Sequence, residues 1–177
     1  MTPTAPAWIV DDGPLDTLAA VVTHAVFAGW PRGRYFLADA TARAATGRRL
    51  PFAAAPCEVF SITMGTPAWN LLYTLRLPSA GTADLAEHEA IAWALLERPD
   101  AVFVTSDKGA AALALAELGR GRVAHTFDLW LHLLEERLVS AIEFQQLCES
   151  TQRRGTGLPR MPERCTVRYP PGLAGGG

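Results

Sequence analysis

Short apolar runs that alternate with helix-like stretches are the feature that most constrains the fold of this chain. Trp8-Ile9-Val10 and Ala101-Val102-Phe103-Val104 are two such runs, and each is continuous and is followed by polar residues. Runs of this kind are typical of strands that are covered on both faces of a parallel sheet. Their alternation with helices predicts an α/β fold, a three-layer α/β/α sandwich with a central parallel sheet.

The same pattern predicts the order β-α-β-α-β-α-α-β-α-β-α-α. The strands are expected at 8–11, 34–38, 58–63, 101–105 and 122–125. The helices are expected at 14–28, from 38 to about 45, and at 68–76, 84–98, 108–118, 127–137 and 140–153. The helix at 84–98 is apolar around most of its circumference, which predicts that it is buried.

Composition indicates one compact domain in a reducing compartment. A chain of 177 residues that is 49% hydrophobic can bury a substantial core, which we expect within residues 8–154. Residues 155–177 are rich in Gly, Pro and Arg and are predicted to be a tail. Cys57, Cys148 and Cys165 are too widely spaced for a disulfide framework or a zinc site. With no signal peptide or membrane span evident, we expect a cytoplasmic protein without a membrane partner.

Two acidic residues follow predicted strands, and they are the first candidates for chemistry. Asp11 and Asp107 stand where apolar runs end, and ligands of open α/β sheets bind beyond the carboxyl ends of the strands. Two carboxylates that meet there would suit a hard divalent cation. Helix capping is the alternative, by Asp12 or Gly13 for the first helix and by Asp107 for the helix that begins at Lys108.

The helix at 84–98 adds two glutamates. Glu89 shares a face with apolar residues, whereas Glu87 lies about 200° away around the helix. Acids also suit a helix N-terminus for dipole reasons, which is the alternative for both. His88 is expected at the surface. Thr105 is expected either to pack in its strand or to hydrogen-bond a neighbouring carboxylate or a metal-bound water.

Basic residues provide candidate contacts to a nucleic-acid backbone. A group of arginines lies near Trp30, Tyr35 and Phe52, in a setting that suits phosphate and base contacts. The candidate RNA-binding residues are Arg32, Arg34, Arg48, Arg49 and Lys108. A solvated surface is the alternative interpretation of these charges, and the net charge of −2 gives no general preference for polyanions.

At these residues the chain resembles the PIN-domain family, which are metal-dependent nucleases with a Rossmann-like parallel sheet. Asp11-Asp12-Gly13-Pro14-Leu15 is similar to an Asp-x-x-Pro-Leu motif of one branch. Ala86-Glu87-His88-Glu89-Ala90-Ile91 is similar to its Gly-Glu-x-Glu-Ala-Ile motif, with Ala86 in place of Gly. Thr105-Ser106-Asp107 and the closing pattern at 123–148 also look alike, so the resemblance spans about residues 8–150. The glutamate that the family usually has on an early helix is missing, since its position falls near Ala44.

The resemblance implies hydrolysis of single-stranded RNA with Mg²⁺ or Mn²⁺. It assigns Asp11, Glu89 and Asp107 as catalytic residues and metal ligands and adds Glu87 as a further ligand. Asp12 and Thr105 would support these ligands. Many members of the family are toxins held by a small antitoxin protein, often as dimers, so an antitoxin and a second copy of the chain are the partners that it suggests.

Two other functions remain open at the level of sequence. The first is a PIN-like scaffold with a depleted site, which binds protein or RNA without cutting, as the missing acid near Ala44 would favour. The second is a receiver-type signalling domain, suggested by Asp11-Asp12 and Lys108. That domain needs a phosphorylatable Asp at the end of a middle strand, whereas the predicted strand at 58–63 is followed by Met64.

Overall fold

A computed structural model describes residues 6–47, 57–76 and 85–154 and shows an α/β fold with a five-stranded, all-parallel sheet. The predicted fold class is therefore confirmed. The strands are β1 Ala7–Val10, β2 Tyr35–Ala38, β3 Cys57–Phe60, β4 Ala101–Thr105 and β5 Val123–His125. The helices are α1 Asp12–Val21, α2 His24–Phe27, α3 Asp39–Gly47, α4 Pro67–Arg76, α5 Leu85–Leu96, α6 Lys108–Leu118, α7 Thr126–Glu135 and α8 Ala141–Arg154.

Helices cover both faces of the sheet and create two hydrophobic cores. Alternate residues of β1 serve the two sides: Trp8 and Val10 face one core, while Ile9 faces the other. The first core includes residues of α1, α7 and α8, and the second includes residues of α5 and α6. The continuous apolar runs in the sequence follow from this burial on both faces.

The strand order is β3-β2-β1-β4-β5, so the first strands are added on one side of β1 and the later strands on its other side. From β1 the chain builds outward through β2 and β3, and it then crosses to the other side of β1 to form β4. Such a switch point opens a crevice at the carboxyl ends of the two central strands. This is the order of a Rossmann-type sheet, and it differs from the 2-1-3-4-5 order of receiver domains. The strand order therefore argues against the receiver-type interpretation.

Two elements differ from the predicted bounds by more than two residues at one end. The helix expected at 14–28 is divided into α1 and α2, because Val22 adopts an extended conformation within a β-branched stretch that disfavours helix. The strand expected at 58–63 ends at Phe60, because the chain then turns and Thr66 N–H donates to the Thr63 carbonyl. Gly65 has a φ of 84° in this turn, a conformation that favours glycine.

Several predictions lie outside the described residues, namely those for residues 48–56, the linker 77–83 and the tail 155–177. They include Arg48, Arg49 and Cys165. Cys57 and Cys148 are free thiols. Within the described ranges, none of the helices has the length and hydropathy needed to cross a bilayer.

Candidate metal centre

Asp11 occupies the carboxyl end of β1 and is buried, with 7% of its surface exposed. Its Oδ2 atom accepts a hydrogen bond of 2.6 Å from the Thr105 hydroxyl, and its Oδ1 atom accepts one of 2.8 Å from the Asp12 backbone N–H. The second bond makes Asp11 the N-cap of α1. The prediction that Asp12 or Gly13 is the cap is wrong, because α1 begins at Asp12 and the cap position falls one residue earlier.

The buried position makes Asp11 a weaker acid than usual. Desolvation raises its pKa from the ordinary 3.8 to about 6, and the negative charges of Asp12 and Asp107 act in the same direction. Hydrogen bonds from Thr105 and the Asp12 N–H partly oppose this rise. Asp11 is thus largely ionised at neutral pH but its charge is poorly compensated, and a nearby cation would relieve this cost.

Thr105 connects Asp11 with Asp107. It is 1% exposed, and its hydroxyl donates to Asp11 while it accepts a bond of 3.0 Å from the Asp107 backbone N–H. Of the roles that the sequence left open for Thr105, the structure shows the hydrogen bond to a neighbouring carboxylate. Asp107 is exposed and caps α6, since its Oδ1 atom accepts a bond of 2.8 Å from the Ala110 N–H. The two acids therefore lie at one crevice of the sheet, although they are far apart in the sequence.

Gly13 lies at a close contact between two segments of the chain, near Asp11. A Cβ atom at Gly13 would lie 2.6 Å from the Ser106 Oγ atom, so the first turn of α1 closely approaches the connection between β4 and α6. Glycine at this position allows the approach, because a side chain would have to displace Ser106. Asp12 is half-buried in the same turn, and Lys108 is exposed in the first turn of α6 beside Asp107. Asp12 and Lys108 are thus the chain neighbours of the two acids, Asp11 and Asp107.

Glu89 lies at the same edge of the sheet but has another role in the fold. It is 7% exposed on α5, and its Oε2 atom accepts a bond of 3.0 Å from the Ala40 N–H at the start of α3. Because α3 directly follows β2, which is adjacent to β1, Glu89 lies near the strand next to Asp11. Glu87 is half-buried. His88 was expected at the surface and is 4% exposed, because α5 packs against the sheet and against other helices.

Of the predicted arginines, the structure describes Arg32 and Arg34, and both lie at the other end of the strands. Arg34 precedes β2, and Arg32 precedes it by two residues, so both are near the amino edge of the parallel sheet. A four-residue strand spans about 13 Å, which separates them from the carboxyl edge where Asp11 lies. Among the predicted cations within the described ranges, Lys108 lies beside the acids, since it directly follows Asp107. Ala44 is exposed on α3 and introduces no charge there.

His125 is a polar residue of the carboxyl edge that the sequence reasoning did not select. It ends β5 and pairs in register with Thr105. Its Nδ1 atom accepts a bond of 3.3 Å from the Phe127 N–H, so the ring caps α7, and burial lowers its pKa. The same strand-end argument that identified Asp11 would have found His125, whereas a search for metal-ligand spacing among the histidines does not.

The arrangement of these donors decides which ion would fit. Each oxygen of Asp11 accepts one hydrogen bond and keeps a further lone pair, and within the described part of the chain Oδ2 of Asp107 accepts none. No group of three or more His, Cys, Asp or Glu side chains among residues 6–47, 57–76 and 85–154 is arranged to hold an ion. Two carboxylates suit Mg²⁺, which commonly retains waters and takes its remaining ligands from a substrate phosphate.

Comparisons of the chain with protein-family models, with curated proteins and with solved structures gave no match.

Proposed function

We propose that the protein is a metal-dependent endoribonuclease, in which Asp11 and Asp107 bind Mg²⁺ or Mn²⁺ at the carboxyl edge of the sheet. The observation that carries this proposal is the buried Asp11 carboxylate, linked through Thr105 to Asp107 at the switch point. The resemblance of these segments to the PIN-domain family supports the same reaction and the same substrate class. In that family an antitoxin protein is a common partner, and it is part of this proposal.

Each residue near the carboxyl ends of β1 and β4 would have its own role in the proposed reaction. Asp11 and Asp107 provide negative charge, and the Thr105 hydroxyl fixes the orientation of the Asp11 carboxylate. Lys108, which is exposed beside Asp107, would contact an RNA phosphate. The ion supplies the chemistry when it is bound, because it orients the scissile phosphate and increases the acidity of the attacking water. Glu89 would contribute its negative charge from α5, near the strand next to Asp11.

A second function is favoured by a specific feature of α3. This helix has Ala44 where the family places an acid. At its N-terminus, the Ala40 N–H donates a hydrogen bond to the carboxylate of Glu89, so that carboxylate already has a partner in the fold. A scaffold that binds RNA or protein without cutting would need no additional acid. This alternative predicts RNA binding without product, whereas the nuclease predicts product that depends on the added metal.

Thermal unfolding with and without MnCl₂ tests the metal site. A bound ion stabilises the folded state alone, by about 2.7 kcal/mol at a concentration 100-fold above Kd, so Tm should rise with Mn²⁺. Asp11→Asn should abolish the rise, and Glu117→Gln on the exposed face of α6 should retain it. An equal rise in wild type and Asp11→Asn would contradict the assignment.

Cleavage of labelled single-stranded RNA tests the reaction. We expect products with Mn²⁺ or Mg²⁺, none with EDTA, and at least about 100-fold slower cleavage by Asp107→Asn. Asparagine still accepts the Ala110 bond that caps α6, so this variant separates lost chemistry from lost folding. Cleavage that persists in EDTA would exclude the mechanism, and metal-dependent RNA binding without product would favour the scaffold.

A further inference from the structure

A polar cluster lies at the amino edge of the sheet, on the opposite side from Asp11. We call it the amino-edge cluster, and it consists of Trp8, Arg34, Tyr35, His132 and Glu136. The Trp8 ring stacks on His132 with 4.6 Å between centroids, and the Tyr35 hydroxyl lies 3.1 Å from His132 Nε2. Arg34 donates from Nη1 to Glu136 at 3.3 Å. These contacts join β1, β2 and α7 around a single imidazole ring.

Three hydrogen-bond donors in this cluster are buried without an acceptor. They are Trp8 Nε1, Arg34 Nε and Arg34 Nη2, and none has a hydrogen-bond partner within the described structure. Buried donors are almost always paired, because an unpaired donor loses its bond to water and gains nothing in return. The other two tryptophans of the same core follow this rule: Trp30 donates to the Leu138 carbonyl and Trp130 to the Thr151 hydroxyl.

The two unpaired groups of Arg34 form one side of its guanidinium. Nε–H and the adjacent Nη2–H are parallel donors, and this fork matches the two oxygens of a carboxylate. Glu136 accepts from the opposite nitrogen, Nη1, so this ion pair leaves both donors of the fork unused. Trp8 and Arg34 are adjacent through the backbone, since the Trp8 N–H donates to the Arg34 carbonyl at 2.7 Å, and both side chains contact α7, Trp8 at His132 and Arg34 at Glu136.

The charge of the cluster favours a single negative charge on the ligand. Burial is the main cause that lowers the pKa of His132, so this ring is neutral at physiological pH. Arg34 is then the cation of the cluster, with a side chain that is 20% exposed, whereas its partner Glu136 is 46% exposed and better solvated. Because Glu136 already offsets part of the Arg34 charge, a carboxylate with one negative charge would be better compensated here than a phosphate dianion.

We propose that the amino-edge cluster is a binding site for a carboxylate, held by the Arg34 fork and by Trp8 Nε1–H. Access requires Glu136 to move, which its exposure and its single long bond to Arg34 permit. The carboxylate belongs either to a small organic acid or to a peptide. The site is separate from the proposed nuclease centre and does not depend on it.

NMR spectra of the ¹⁵N-labelled protein test the site directly. Titration with sodium acetate should shift the Trp8 indole N–H and the Arg34 Nε–H signals along one shared saturation curve. The indole signals of Trp30 and Trp130 should stay in place, because their donors are already bonded. Sodium chloride at matched ionic strength is the control, and it should produce no saturable shift at any of these signals.

Matched variants assign the response to the donors. Arg34→Lys keeps the charge but removes the fork, and it should weaken acetate binding about 10-fold or more. Trp8→Phe keeps an aromatic ring against His132 but removes the N–H, and it should weaken binding about threefold. Arg32→Lys changes an exposed arginine two residues from Arg34 and should bind acetate as wild type does.

Peptides distinguish the two sources of the carboxylate. A short peptide with a free C-terminal carboxylate that binds more tightly than acetate, and loses binding when amidated, would assign the site to a peptide. Acetate binding without peptide binding would assign it to a small acid. Both results support the proposal. An absent acetate response, an unchanged affinity in Arg34→Lys and Trp8→Phe, or tighter binding of inorganic phosphate would each overturn it.

Discussion

At the scale of single residues, Asp11 combines two roles that oppose each other in energy. Its Oδ1 atom caps α1, which stabilises the helix, while its burial beside Asp12 and Asp107 destabilises its ionised form. A residue that served only as a cap would gain from being exposed or neutral. The retention of a buried charge with a raised pKa is therefore the residue-level argument for a ligand at this crevice.

Asp11→Asn should stabilise the metal-free protein at pH 8. The pKa of about 6 in the fold, against 3.8 ordinarily, corresponds to a cost of about 3 kcal/mol once the group is ionised. The folded state holds its proton more tightly, so this cost is absent below the ordinary pKa and grows as pH rises to 6. After allowing for the weakened bond from Thr105, we expect a gain of about 1–2 kcal/mol in urea unfolding with EDTA.

The gain should disappear near pH 4, where the wild-type carboxyl is protonated in the fold. Glu117→Gln, on the exposed face of α6, should change stability little at either pH and serves as the control. A variant that is less stable than wild type by the same amount at pH 4 and pH 8 would show that burial does not penalise the Asp11 charge.

At the scale of elements, local sequence was enough to place most strands and helices. The apolar runs at β1 and β4 and the caps after them are local patterns, and both are visible in the chain. The features that the sequence did not predict depend on contacts between elements or on the conformation of single residues. His88 is buried because α5 is covered on several sides, and the early end of α1 at Val21 depended on the conformation of Val22. The Thr105–Asp11 bond could be expected only as one of several options, because it joins residues 94 positions apart.

Glu89 connects α5 to α3, and this connection gives a prediction at the same scale. Glu89→Ala removes the acceptor for the Ala40 N–H and should destabilise the protein by about 1–3 kcal/mol. Glu89→Gln keeps an acceptor oxygen and should cost less than about 1 kcal/mol. Hydrogen exchange at Ala40 should accelerate in the Ala variant alone.

The Gln variant also separates the two roles that Glu89 has been given. If the residue contributes its charge to the metal centre, Glu89→Gln should reduce the rise in Tm with Mn²⁺ although the fold is intact. A full Mn²⁺ response in Glu89→Gln would restrict Glu89 to its role at the start of α3. A loss of stability in Glu89→Gln as large as in Glu89→Ala would contradict the acceptor role itself.

At the scale of the whole molecule, the parallel sheet separates two polar regions. All five strands run in one direction, so the carboxyl edge collects Asp11, Thr105 and Asp107 and the amino edge collects Arg34 with Trp8. The acidic residues at the carboxyl edge could be predicted, because Asp11 and Asp107 follow apolar runs that are visible in the sequence. The amino-edge cluster could not, because its contacts join Tyr35 to His132 and Arg34 to Glu136 across about a hundred residues of chain.

This separation predicts that the two edges contribute independently to stability. Asp11 and Arg34 lie at opposite ends of neighbouring strands, about 13 Å apart along the strand direction, and their hydrogen bonds within the described ranges go to different residues. In a double-mutant cycle, Asp11→Asn and Arg34→Lys should therefore be additive within about 0.5 kcal/mol. Asp11→Asn with Thr105→Val should show a coupling of about 1 kcal/mol or more, because those side chains are bonded. Urea unfolding at pH 8 measures both cycles, and a coupling across the edges as large as that within the crevice would mean that the sheet transmits strain from one edge to the other.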